Sequence, residues 1–276
     1  MSLTERRNLK YRPRQPSFEK SLSTYTEFIE PVPSFLSGGI QYYGYHLDAL
    51  NINRIFVLPD GCVDIVICCY PNRPSGNICG SIVRRRQGIF VRSDCDYFTI
   101  RFLPGYAEQF LKFPVSEFTE NEIPVQNVLP HAAELLEMIA SQLTFKDRIH
   151  AFENFCRQYY REQLEVPNLV QYLTDKILAS QGTVQIGELS AETGYSTRYM
   201  HKTFERYVGV SPKLFSRIIR FQHVLKALED PSKEKTFGRI LELGYFDQNH
   251  FIKEFKEFSA VTPKKYIQQS SGQLLF

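Results

Sequence analysis

The side chains with the most suggestive chemistry lie in the last third of the chain. Arg198, His201 and Lys202 form one polar set, and Gln248, Asn249 and Lys253 form another. These residue types recognise base edges in a DNA major groove. Arg and Lys donate to guanine O6 and N7, and Asn and Gln pair with adenine N6 and N7. At ~100° per residue, a helix with Met200, Phe204 and Tyr207 inward turns Arg198, His201, Lys202 and Glu205 outward. A second helix with Phe251, Phe255 and Phe258 inward leaves Asn249, Ile252, Lys253 and Lys256 outward, with Gln248 near its start. Lys213, Arg220 and Lys264, with the helix N-termini after Ser211 and Thr262, suit phosphate contacts that position a protein rather than specify sequence. A single such face reads most simply as solvated surface. Two equivalent ones inside a repeat do not.

That repeat is explicit. Phe204–Phe215 reads FERYVGVSPKLF and Phe255–Tyr266 reads FKEFSAVTPKKY, at a constant offset of 51. The offset pairs Phe204 with Phe255, Tyr207 with Phe258, Gly209 with Ala260, Pro212 with Pro263 and Phe215 with Tyr266. Each copy has the anatomy of a helix-turn-helix. In the first, Ile186–Thr193 forms a short helix, Gly194 turns the chain, and Ser196 or Thr197 caps a second helix running to about Val208. In the second, the corresponding parts are Phe237–Leu243, Gly244, a cap at Asp247 and a helix to about Phe258. Ser211-Pro212 and Thr262-Pro263 each open a further helix, with Pro at its first position. Between the copies, a long helix from Pro212 to Glu229 buries Ile218, Phe221, Leu225 and Leu228, and Asp230-Pro231 stops it.

Upstream the period changes. From Ile40 to about Phe102, short apolar runs (Ile55–Leu58, Val63–Cys69, Phe98–Phe102) alternate with Gly, Pro, Asn and Asp, which predicts a β-barrel or sandwich. Helical spacing follows in Ala132–Leu143 and Asp147–Arg161. Pro167-Asn168 marks a boundary, with Asn168 placed to cap a helix carrying Leu169, Leu173 and Ile177. The expected fold is α+β in two domains: a β-rich domain over residues 1–128, a helical linker over 129–165, and an all-α domain with two helix-turn-helix units over 166–276.

Composition narrows the class. The 276 residues are 43% hydrophobic and 23% charged, which is globular rather than disordered. No apolar run approaches the ~20 residues of a membrane span, and the basic N-terminus lacks a signal peptide's apolar core, so a cytoplasmic protein without membrane partners is expected. Residues 166–276 hold 15 Lys and Arg against 11 Asp and Glu, while the rest holds 18 against 19, so the basic part is the one that would meet DNA. Cys62, Cys68, Cys69, Cys79, Cys95 and Cys156 include no CxxC, and the adjacent Cys68 and Cys69 would point to opposite strand faces. Reduced buried thiols are the first reading and thiol sensing the alternative.

The last hundred residues resemble the AraC/XylS family of transcription regulators. The resemblance is carried by GYFDQNHFIKEFKEFSAVTPKKY from Gly244 to Tyr266 and IIRFQHVLKAL from Ile218 to Leu228. LPDGCVDIVI (Leu58–Ile67) and IRFLPGYAEQFL (Ile100–Leu111) resemble the cupin-like sensor of one branch of these regulators, although both also read as fold-determining turns. Ala260 stands where the family usually has Gly, so strain is expected there; Arg239 and Ile240 also depart from the pattern. The resemblance implies duplex DNA as partner, a cupin-like β-barrel that senses a small molecule, contact with RNA polymerase, and a homodimer formed through Asp147–Arg161. Within the barrel, Tyr42, Tyr43, Tyr45, Phe56, Tyr97, Phe98 and Phe102 line a pocket or fill a core, the second being preferred. Arg84-Arg85-Arg86 is an exposed loop or an anion site. A metal-dependent cupin enzyme is the rival, but only His46, Asp60 and Asp64 offer ligands, without HxH or HxxxH spacing. No catalytic residue, cofactor or metal is expected.

Overall fold

The structure is a computed structural model describing residues 11–22, 24–28, 39–47, 55–87, 93–160, 166–228 and 242–270. The first part runs α1 (Pro16–Ser21), β1 (Tyr25–Phe28), β2 (Ile40–Leu47), β3 (Phe56–Val57), β4 (Val63–Cys68), β5 (Ser75–Cys79), β6 (Arg86–Gln87), β7 (Cys95–Phe102), α2 (Ala107–Leu111) and β8 (Glu122–Pro124). Helices α3 (Ala132–Ala140) and α4 (Phe145–Tyr159) follow, then α5 (Asn168–Ala179), α6 (Ile186–Thr193), α7 (Thr197–Val208), α8 (Pro212–Leu228), α9 (Gln248–Ser259) and α10 (Pro263–Ser270). The expected arrangement of N-terminal strands and C-terminal helices is present. The expected helix Phe237–Leu243 and the stop at Asp230-Pro231 fall largely in residues 229–241, outside the described residues.

Six strands form one antiparallel sheet in the order β1-β2-β7-β4-β5-β8, and β3 and β6 pair separately. Among the described residues β1 and β8 do not pair, so the sheet is open where a closed barrel was expected. It is covered on both sides. On one, Ile65, Ile100, Phe98 and Tyr42 pack with Phe110, Leu135, Ile139, Phe152 and Phe155 of α2, α3 and α4. On the other, Tyr43, Tyr45 and Tyr97 pack beneath Phe18 of α1 and Ile55. Two-sided cover explains why these strands read as nearly continuous apolar runs. The aromatic residues raised as pocket lining therefore fill two cores, except Phe56, whose ring lies 3.6 Å beneath the Arg85 guanidinium.

One buried cation organises the sheet's inner polar groups. Arg101 Nη1 lies 2.9 Å from Asp60, and its Nε and Nη2 reach Asp64 at 2.8 and 2.7 Å. Tyr43 donates to Asp64 at 2.8 Å, and Asp60 also accepts from Gln15 and the Cys62 N–H. The carboxylates considered as metal ligands are thus turned onto an arginine, while His46 pairs with Asp96 at 2.9 Å. The six thiols are free, and five are buried. Burial pushes the Cys69 thiol up to about 11 and Cys156 to about 12, which disfavours the reactive thiolate near neutral pH. Cys68 and Cys95 bring their Sγ atoms to 2.9 Å.

In the C-terminal part, local chemistry sets the helix ends. Ser196 accepts from the Tyr199 N–H at 3.3 Å, and Asp247 from the His250 N–H at 2.7 Å, so each cap satisfies a donor the helix itself cannot. Helix α5 begins at Asn168 itself, with Pro167 before it and no side-chain cap. Gly209 ends α7 with φ +88°, and its repeat partner Ala260 ends α9 with φ +62°. A side chain in this left-handed region costs about 1–2 kcal/mol. Ala260→Gly should therefore stabilise the protein by roughly 0.5–1 kcal/mol after allowance for the freer unfolded chain. A urea unfolding midpoint that rises at unchanged slope would show it; a fall would place the strain elsewhere.

Candidate nucleic-acid interface

The two helices expected to read DNA are α7 and α9, and their inward faces follow the predicted stripe. Met200, Phe204, Phe251, Phe255 and Phe258 are at most 1% exposed. Tyr207 is only half-buried, and Val208 takes the inner place at the C-terminal end, where α7 meets the sheet part. Outward, Arg198, Lys202, Gln248, Asn249, Lys253 and Lys256 are exposed, while His201 and Ile252 are half-buried. Arg198 and Gln248 stand in the first turns of their helices, just beyond the caps. Lys213 and Lys264 are exposed at the second positions of α8 and α10, behind the hydroxyl caps Ser211 and Thr262.

Arg220 is placed differently. Its Nη2 lies 2.8 Å from Glu254 Oε1, and its guanidinium covers the Tyr245 ring at 4.7 Å. Arg217, one turn earlier on α8, reaches the same carboxylate at 2.8 Å and Glu257 at 2.6 Å. The Glu254 side chain is 3% exposed, so two arginines of the connecting helix neutralise one buried charge of the second reading helix. Arg220 therefore holds α9 against α8 and presents no free guanidinium to a phosphate. Arg217 and Arg220 stand one turn apart on α8, but their spacing does not identify the partner on α9.

The sheet part holds both reading helices by their last carbonyls. Ser81 donates to Val208 O at 3.1 Å and Thr119 to Gly209 O at 2.7 Å, while Arg206 pairs with the buried Glu108 at 2.8 Å. On α9, the Arg85 N–H donates to Phe258 O at 2.8 Å and its guanidinium to Ser259 O at 3.4 Å. Ser81 and Arg85 are four residues apart, so one short segment touches equivalent ends of both copies. The arginine run is correspondingly engaged: Arg84 faces Glu120 at 3.8 Å, Arg86 meets Glu122 at 2.7 Å, and Arg85 sits between the two parts. Arg84 is thus the exposed loop residue expected, while Arg85 and Arg86 are half-buried against their partners. The chain near Tyr11 joins the same contact, with the Arg14 N–H donating to Gln222 Oε1 at 2.7 Å and Gln222 donating to Pro59 O at 2.7 Å.

Comparison with known proteins gives this arrangement a class. Residues 189–269 match a family described as a helix-turn-helix domain, and residues 32–124 match a domain family of unknown function, DUF6597. The C-terminal part of the chain thus matches a helix-turn-helix domain. An uncharacterised HTH-type transcriptional regulator of Haemophilus influenzae is 21% identical over 193 residues, covering 70% of this chain and 62% of that protein's own length. Among solved structures, the C-terminal domain of AraT, a response regulator from Geobacillus stearothermophilus, is 22% identical. The match covers 37% of this chain and 85% of that one, at a TM-score of 0.32. ToxT from Vibrio cholerae is 13% identical over 85% of this chain and 99% of its own, at 0.40.

Replacing Glu254 by Gln removes the charge between Arg217 and Arg220. The cost should be on the order of 3 kcal/mol, because two arginines are left against a neutral amide. Breaking the exposed Arg12–Glu27 pair should cost less than ~1 kcal/mol. Denaturant unfolding of both variants checks the contrast, and equal costs would mean that the buried cluster is not what holds α9.

Proposed function

We propose that this chain is a sequence-specific, DNA-binding transcriptional regulator. The observation that carries the reading is the pair of outward polar faces, Arg198-His201-Lys202 and Gln248-Asn249-Lys253, on two capped helices of a helix-turn-helix domain, with Arg198 and Asn249, and Lys202 and Lys253, at equivalent places of the repeat. These residues read bases through the N-terminal halves of α7 and α9, in successive major-groove segments about one turn (~34 Å) apart. Lys213 and Lys264 contact phosphates beside them. In this reading residues 1–128 are the sensor, built on the open sheet, 129–165 the linker and 166–276 the DNA-binding domain.

The sheet part responds to a small-molecule effector in this reading. The crevice among Arg12, Gln15, Phe18, Tyr25, Tyr43 and Arg101 has only about 10 Å³ of open space, so an effector must widen it to enter. A homodimer through α4 uses its outer face of Lys146, His150, Asn154 and Arg157, because Ile149, Phe152 and Phe155 are already buried within the chain. No described helix is long and apolar enough to cross a membrane. The site of action is the cytoplasm, with RNA polymerase as downstream partner and no catalytic role.

The test is selection from random duplex DNA with the full chain, followed by titration of the selected site against a scrambled one at several salt concentrations. A motif with two segments about a helical turn apart, bound at least ~10³-fold tighter than the control, is expected. Lys253→Ala should cost roughly 1–3 kcal/mol on that site and much less on scrambled DNA. No enriched motif, with and without candidate effectors, would defeat the regulator reading. Equal losses on both DNAs would make Lys253 a phosphate contact.

A further inference from the structure

Among the described residues, three of the large apolar side chains that stand well out of the surface cluster at the reading helices: Tyr195, Tyr199 and Phe246. Phe246 is the most exposed of these three, at 88%. It directly precedes the cap Asp247, and its repeat partner Tyr195 directly precedes the cap Ser196. An apolar residue at this place ordinarily folds onto the residue four beyond the cap, fixing the chain's entry into the helix. Here that residue is Phe251, and Tyr245 covers it instead, at 5.2 Å between ring centroids. Tyr195 differs again, stacking on Tyr199 at 5.2 Å. Phe246 thus has no packing role that the fold requires.

Its backbone is nonetheless held. The Phe246 N–H donates to His250 Nδ1 at 3.4 Å, and Asp247 caps the His250 N–H at 2.7 Å. The ring is therefore presented from a fixed position, two and three residues before the exposed Gln248 and Asn249. A DNA major groove offers one apolar feature, the thymine C5-methyl group, and phenylalanine is among the side chains that cover it. On these grounds we infer that Phe246 contacts a thymine methyl beside the bases read by Gln248 and Asn249. The second unit then selects thymine at that position by apolar contact rather than by a hydrogen bond. The inference rests on the DNA-binding reading above.

The experiment uses the full chain and its selected duplex, with each thymine of the second half-site replaced in turn by deoxyuridine, which removes only the methyl group. Wild-type protein should lose roughly fourfold in affinity at one such position, the effect of one methyl group returned to water. Phe246→Ala should bind the thymine duplex at least that much more weakly and become indifferent to deoxyuridine there. Phe246→Leu should keep part of the sensitivity, and Lys253→Ala should keep all of it. Because the side chain is exposed, Phe246→Ala should unfold at the wild-type denaturant midpoint. Equal weakening of Phe246→Ala on both duplexes, no deoxyuridine effect on the wild type, or a second half-site without thymine would each overturn the inference while leaving the regulator reading intact. Failure of the wild type to select any site would instead remove the reading on which it rests.

Discussion

Glu254 lies on the second reading helix with its carboxylate out of water, between Arg217 and Arg220 of the connecting helix. Burying a lone carboxylate is prohibitive, so this position is tolerable only while both helices keep their relative placement. Phe221 reinforces it, packing against Phe255 and Phe258 at 5.3 Å from each. On the other side, Phe204 meets Phe215 at 5.5 Å and ties the first reading helix to the same rod. The exposed polar faces of α7 and α9 depend on this scaffold. Neither face has a direction of its own; each inherits one from what its apolar side and its buried charge are packed against.

The sheet part adds a second constraint. Helix C-terminal carbonyls lack partners within their own helix, and here donors from another part of the chain supply them. Ser81 and Thr119 reach the end of α7, and Arg85 reaches the end of α9. Gly209 is bound into this contact sterically as well, since a Cβ there would lie 2.8 Å from Thr119 Oγ1. Helices α7 and α9 and the sheet are consequently joined at the ends opposite the residues proposed to read bases. A change in the sheet part has a direct mechanical path to both helices without touching DNA.

Much of the C-terminal architecture was legible because it is encoded locally. Caps at Ser196 and Asp247, glycine at 209 and the Phe204/Phe255 repeat each act within a few residues, and helical periodicity tells which side turns inward. What periodicity does not tell is the identity of the partner. Arg220 looked available for phosphate because nothing nearby in sequence opposes it, yet its partner lies 34 residues away. The apolar stripe of α4 likewise names no partner, and the chain's own sheet and α3 occupy it. In the arginine run at 84–86, Arg84 is exposed as expected, while Arg86 turns onto Glu122, 36 residues away. Barrel closure was equally out of reach, because alternation within strands fixes their faces and not whether the first and last strands meet.

The contact between Arg14 and Gln222 closes a loop of 208 residues. On a ribosome, the segment from Tyr11 to Gln15 emerges long before α8 exists, and it must wait for nearly the whole chain before its partner appears. Tyr11 can meet Asp60, and Gln15 can meet Leu58 and Asp60, soon after the strands form. The seam between the sheet and the helices closes only near the end of synthesis. Contacts of such long range are slow to form and leave apolar surface such as Leu58 and Val83 uncovered in the interval. Nascent chains of this protein should thus depend on their last hundred residues to hide the surface of their first hundred.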